Sequence, residues 1–154
     1  KIIADLGCGN GILGIGALIL GAKKVYFIDA DEESISICKS NVKNLGVEDF
    51  IIVKEDIKDF NKKVDVVIQN PPFGTKKEHA DKLFLEKTFK ISNKIYSIHK
   101  IESLNFIKSI SQDNNFDLIN LIKFKLPLKK TYSFHKKKVY QVEIGCFILE
   151  KRKI

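Results

Sequence analysis

The sequence predicts a Rossmann-like α/β domain with a seven-stranded, mostly parallel sheet that closes with an antiparallel C-terminal hairpin. Three observations carry this expectation. Short apolar runs alternate with amphipathic stretches of helical period from Lys1 to Ile110, the mark of crossover units. A glycine-rich turn, Asp5-Leu6-Gly7-Cys8-Gly9-Asn10-Gly11, joins the first apolar run to the first helical one. Beyond residue 115 the helical period gives way to two long extended runs joined by a basic loop.

Lys1 to Leu6 reads as a short buried strand, and Asn10 to Leu20 as a glycine-dotted helix closed by Gly21. "KVYFID" is the second strand, ending at Asp29. The next helix opens on acids at Asp31, Glu32 and Glu33 and carries Ile35, Cys38, Val42 and Leu45 at helical spacing before Gly46 stops it. Phe50–Lys54, Val64–Gln69 and Ile95–His99 are further strands. Residues 79–90 and Ile101–Ile110 read as helices, with His79 at a helix start. In the hairpin, Phe116, Leu118, Ile122, Phe124 and Leu126 are expected on one face of the sixth strand. Tyr140, Val142, Ile144, Cys146 and Ile148 are expected on one face of the seventh.

The 154 residues fit one domain with a sizeable core, and no apolar run reaches the roughly 18–20 residues of a membrane span. Cys8, Cys38 and Cys146 are odd in number and widely spaced, which fits neither a metal cluster nor a disulfide framework and points to the reducing cytoplasm. No histidine shows metal-ligand spacing. A net charge of +8 favours a polyanionic partner such as nucleic acid, although a lysine-rich composition produces the same figure without one. The absence of methionine and a start inside a strand lead to the expectation that an N-terminal segment precedes Lys1.

Gly9, Gly11 and Gly14 satisfy G-x-G-x-x-G, with Asp29 lying 20 residues after Gly9, which also admits a dinucleotide. Two features point elsewhere. The glycines are denser, at Gly7, Gly9 and Gly11, and Asp5 precedes them at the strand end. A carboxylate there repels a pyrophosphate and suits a cationic ligand such as S-adenosylmethionine. Asp29 is placed for two ribose hydroxyls, and Asp56 for an adenine amino group. Asp31 equally reads as a helix N-cap.

The fourth strand ends in Asn70-Pro71-Pro72-Phe73. Two prolines stop both sheet and helix, so the result is a stiff loop at a strand's carboxyl end. Punctuation is the plainer reading of Pro-Pro; the other is a fixed catalytic loop. "DLGCGNGILGIGA", "FIDADEE", "NPPFGTK", "YSIHK" and "FHKKK" follow one another in the order and spacing of one family. The chain resembles the class I S-adenosylmethionine-dependent methyltransferases, and within them the archaeal and eukaryotic small-subunit ribosomal RNA adenine-N(6) methyltransferases of the methyltransferase-like protein five group. The resemblance implies a cofactor site at Asp5, Gly7, Gly9, Asn10, Gly11, Ile12, Asp29, Asp56 and Ile57, and catalytic residues Asn70, Pro71, Pro72 and Phe73. It also implies a small zinc-binding activator protein as partner. Glutamine side chains of proteins are methylated by a similar tetrapeptide, so that substrate class stays open from the motif alone.

Asn70 and the Pro71 carbonyl can each accept a hydrogen from an adenine amine, while Phe73 either stacks on the base or fills the core. The basic loop places Lys136, Lys137 and Lys138 beside Tyr132, Phe134 and His135, a composition that serves a nucleic-acid surface or a solvated hairpin tip. Lys76, Lys77, His99 and Lys100 are expected to border the same side, because loops after neighbouring parallel strands share one sheet edge.

Overall fold

The computed structural model describes residues 1–72, 80–128 and 140–154. Seven strands form one sheet in the order β3-β2-β1-β4-β5-β7-β6. They are β1 (Ile2–Leu6), β2 (Lys24–Asp29), β3 (Phe50–Lys54), β4 (Val66–Gln69), β5 (Lys94–Lys100), β6 (Phe116–Leu128) and β7 (Tyr140–Lys151). β1 to β5 pair in parallel, while β7 runs antiparallel to both β5 and β6. The order reverses between β1 and β4, which opens a crevice at the carboxyl edge.

Among the described residues four helices connect the strands: α1 (Ile12–Ile19), α2 (Glu32–Lys43), α3 (Ala80–Ile91) and α4 (Leu104–Asp113), the last preceded by a 3-10 turn at Ile101–Ser103. α2 starts where its acids predict: the Asp31 carboxylate accepts from the Ser34 amide at 2.8 Å and caps the helix, Glu32 and Glu33 follow in the first turn, and Lys43 closes the last. The core has two parts. Val25, Phe27, Cys38 and Val42 pack with Leu18 between the sheet and helices α1 and α2. Ala4, Ile28, Val67, Leu85, Ile95, Ile107, Phe116, Phe147 and Leu149 fill the opposite side under α3 and α4.

The sixth strand departs from its expected face. Leu118 pairs with Leu149 and Asn120 with Ile148, so Ile119 is an extra residue, a β-bulge. A bulge reverses the alternation beyond it. Phe116, Leu118 and Leu121 therefore face the α3–α4 core, while Ile122, Phe124 and Leu126 turn to the other side, where they are 52%, 37% and 39% exposed. On that second side, Ile68, Tyr96, Ile98 and Cys146 line an open apolar groove of about 300 Å³ beside Ile12 and Leu13.

Candidate active site

The glycine loop owes its shape to hydrogen bonds that reach out to its neighbours. The Cys8 amide donates to the Ile28 carbonyl at 3.0 Å, the Gly9 amide to Asp29 Oδ2 at 2.9 Å, and Asn41 Nδ2 to the Asn10 carbonyl at 2.9 Å. Gly7 adopts φ 65°, and a Cβ there would stand 2.8 Å from the Phe84 ring. A side chain would thus meet both backbone strain and the first turns of α3. Gly14 has an ordinary φ but no room: a Cβ would run into Phe27, so α1 lies against β2 only because this residue is bare.

Asp5 is 1% exposed, and its Oδ2 accepts from the Gly14 amide at 2.8 Å. Burial pushes its carboxyl up to about 7; the Gly14 amide opposes this, and the nearby Asp29 charge adds to it. Asp5 thus buttresses the loop from beneath through Oδ2. The Cys8 thiol donates to the Gly9 carbonyl at 3.9 Å behind the loop, and the neighbouring Cys38 thiol, burial and the nearby carboxylates hold it well above its usual range. Both are packing residues.

Asp29 is half-buried at the end of β2, each oxygen accepting one backbone amide, from Gly9 and from Asp31. The Asn10 side chain accepts from the Ile12 amide at 3.1 Å, and Ile12 is 69% exposed at the rim. Asp56 is exposed just past β3 and turns its Oδ1 to the Lys58 amide at 3.0 Å; Ile57 packs on the core beside it. One strand away on the other side, β4 ends at the buried Gln69, and Asn70 emerges exposed with Pro71 buried and Pro72 exposed. The structure thus gathers Asp29, Asp56, the glycine loop and Asn70 along the carboxyl ends of adjacent parallel strands.

Phe73, Lys76, Lys77, Tyr132, Phe134, His135 and Lys136 to Lys138 lie outside the described residues, as does His79. The strands flanking the basic loop end on this edge, since Leu128 pairs with Tyr140 beyond the point where Lys100 pairs with Ile144. Lys100 is half-buried with its Nζ 3.7 Å from Glu102.

His99 corrects an expectation. It is 2% exposed, and its ring meets Phe147 edge-on at 5.7 Å between centroids, so it cannot face RNA. The alternation of β5 explains why: Ile95, Ser97 and His99 share the face covered by the α3–α4 core. Burial pushes His99 down to about 4, so the imidazole is neutral, with Asp81 opposing the shift.

Three further residues shape the site. Lys87 in α3, 8% exposed, donates to the carbonyls of Lys58 and Phe60 at 2.7 and 2.9 Å and to Asn61 Oδ1 at 3.0 Å, tying α3 to the loop that carries Asp56. Gln69 and Ser97 form a buried pair under Asn70. Their signal was a polar residue at a position where strand alternation demands burial.

This sheet order, with a glycine loop after β1 and acids after β2 and β3, defines a class I methyltransferase domain. Residues 1–95 match the methyltransferase small domain family. An uncharacterised protein of Methanocaldococcus jannaschii is 39% identical over 98% of this chain and 74% of its own length. The rRNA N(6)-adenosine-methyltransferase METTL5 of Danio rerio is 33% identical over 94% of this chain and 72% of its own. A crystal structure of a Pyrococcus horikoshii protein, described as a presumed RNA methyltransferase, superposes with a TM-score of 0.88 at 37% identity, covering 98% of this chain and 74% of that one. The chain belongs to the methyltransferase small domain family and, within it, to the METTL5 group of rRNA N(6)-adenosine-methyltransferases.

Proposed function

We propose that this chain transfers a methyl group from S-adenosylmethionine to the 6-amino group of an adenosine in ribosomal RNA, the activity for which its METTL5 relatives are named. The observation that carries the reading is Asn70: an exposed carboxamide at the end of a buried strand, followed by a buried proline, beside the glycine loop. The likeness to METTL5 over 94% of the chain supports RNA over a protein glutamine.

The residues present fit the cofactor. A Cβ on Gly9 would meet nothing within 4 Å, so the loop offers bare backbone to open space. The loop from Gly7 to Ile12 would hold the methionine end, Asp29 the ribose hydroxyls, and Asp56 with Ile57 the adenine. Bound there, the cofactor supplies an electrophilic methyl on a sulfonium.

The adenine amine is a weak nucleophile because its lone pair is delocalised into the ring. Asn70 Oδ1 and the Pro71 carbonyl each accept one of its hydrogens. That pulls the nitrogen toward tetrahedral geometry, directs its lone pair out of the ring plane and stabilises positive charge as it develops. Phe73 stacks on the base, and the basic loop with Lys76 and Lys77 tracks the phosphates. The cysteines described are all free thiols, in keeping with action in the cytoplasm. No helix among the described residues is long and apolar enough to cross a membrane. A small zinc-binding activator protein is the proposed second partner, adding a strand to β3.

Asn70→Ala tests the chemistry. Methylation of small-subunit rRNA should fall by about a hundredfold or more, the scale of removing one positioned polar group, with cofactor affinity nearly unchanged by calorimetry. Turnover near the wild-type rate would remove Asn70 from the mechanism.

A further inference from the structure

Directly beneath Asn70, three polar side chains cross from one strand to the next. Gln69 Nε2 donates to Ser97 Oγ at 2.9 Å, and Ser97 Oγ lies within hydrogen-bond distance of His99 Nε2. Gln69 and Ser97 are 0% exposed and His99 2%, in a core otherwise built from residues such as Val67, Ile95 and Phe147. Their place in the ladder is distinctive. β4 and β5 stop pairing at Gln69 opposite Ser97, because β4 ends there and the prolines that follow have no N–H to give. β5 continues to Lys100, so His99 stands level with Pro71 without a backbone partner on that side. The side-chain chain begins where the backbone ladder ends.

His99 is neutral, and the Ser97 hydroxyl, which has one hydrogen to donate and lone pairs to accept with, links the Gln69 carboxamide to His99 Nε2. Gln69 Oε1 is left buried with no hydrogen-bond partner among the described residues. An unpaired buried acceptor lowers stability, and an apolar trio would pack here without that penalty.

We propose that Gln69, Ser97 and His99 are positioning residues for methyl transfer: their chain locks the last residue of β4 to β5 and so holds the Asn70 carboxamide and the Pro71 carbonyl at the reacting amine. This rests on the assignment of Asn70 and Pro71 to that amine. Cross-strand pairing alone cannot hold them, since it ends one residue too early. A displacement of Asn70 by about 1 Å is enough to lower the rate about a hundredfold.

The test compares wild type with Ser97→Ala, Ser97→Thr and the apolar triple variant Gln69→Leu/Ser97→Ala/His99→Phe, with Asn70→Ala alongside. Each is assayed on small-subunit rRNA with labelled cofactor and melted thermally. The expected result is a kcat about tenfold to a hundredfold lower in Ser97→Ala and the triple variant, with KM for RNA and cofactor Kd within about twofold of wild type. Ser97→Thr, which keeps the hydroxyl, should retain most of kcat. The triple variant should melt at or above the wild-type temperature, separating rate from stability. Wild-type kcat in Ser97→Ala, or a loss of kcat that only follows the loss of melting temperature across the set, overturns the proposal. An inactive Asn70→Ala beside a fully active Ser97→Ala strikes the network alone; an active Asn70→Ala strikes the site reading and this proposal together.

Discussion

Asp5 shows how much a single side chain in this site is governed by what encloses it. Its carboxyl is held up near 7 by burial, with the Gly14 amide opposing and the Asp29 charge adding. In the unfolded chain it titrates near 3.8. Between those values the folded state binds more protons than the unfolded one, so the contribution of Asp5 to stability is fully present below pH 3.8 and is lost as pH rises through about 7. Asp5→Asn, which keeps an acceptor for the Gly14 amide, should match wild type at pH 4. It should become more stable than wild type by roughly 2–4 kcal/mol above pH 7. Urea unfolding of both proteins across this range measures it, and a constant difference would mean that Asp5 is ionised throughout. Lys87 makes the complementary case, because a buried ammonium with three oxygen partners is fully satisfied. Lys87→Met keeps the stem but leaves those oxygens facing a methyl group. It should lose roughly 2–4 kcal/mol and, by loosening the loop that carries Asp56, weaken cofactor binding. Calorimetric titration checks the second effect; unchanged affinity would separate this loop from the adenine site.

At the scale of elements, β3 is the strand with an obligation left open. Among the described residues it lies at the sheet edge and pairs with β2 alone, and it reads Phe50-Ile51-Ile52-Val53-Lys54. Phe50 and Ile52 pack toward α1 and α2 and Val53 toward the other core, while Ile51 is 40% exposed. Helices cover the faces of a sheet but cannot satisfy the N–H and C=O groups along its rim. Strand addition by the proposed activator would satisfy them. Amide exchange at Ile51 to Val53 should therefore slow when a small zinc-binding activator is mixed with the protein. Amides already protected alone, with no change on mixing, would dismiss that partner from this edge. The bulge at Ile119 belongs to the same scale: one inserted residue turns Ile122, Phe124 and Leu126 away from the α3–α4 core.

For the whole molecule the question is where a net charge of +8 meets RNA. The described carboxyl edge is rich in acids, among them Asp29, Asp31, Glu32, Glu33 and Asp56. The basic sequence Lys136-Lys137-Lys138 belongs to the connection between β6 and β7, whose ends lie on that edge. Replacing these lysines by alanine should weaken RNA binding and flatten its salt dependence by about one unit of slope per lost phosphate contact. A slope equal to that of wild type would return the loop to a solvated hairpin tip.

What the sequence determined by itself was everything that local chemistry dictates. Strand and helix alternation, the Asp31 cap, the bare turn at Gly7 to Gly11 and the stop at Pro71-Pro72 follow from φ preferences, periodicity and capping, which act over a few residues. Acids at the ends of β2 and β3 and Asn70 at the end of β4 were legible for the same reason, because strand ends in parallel sheets share an edge. Tertiary structure alone decided which way the side chains look. Asp5 turned under the loop, His99 went into the core, Lys87 found three oxygens 26 to 29 residues away in sequence, and β6 changed faces at Ile119. Each outcome depends on what an element distant in sequence places opposite: alternation says which residues of a strand share a face, but only the packed helices decide which face is buried, and burial sets the charge states of Asp5 and His99.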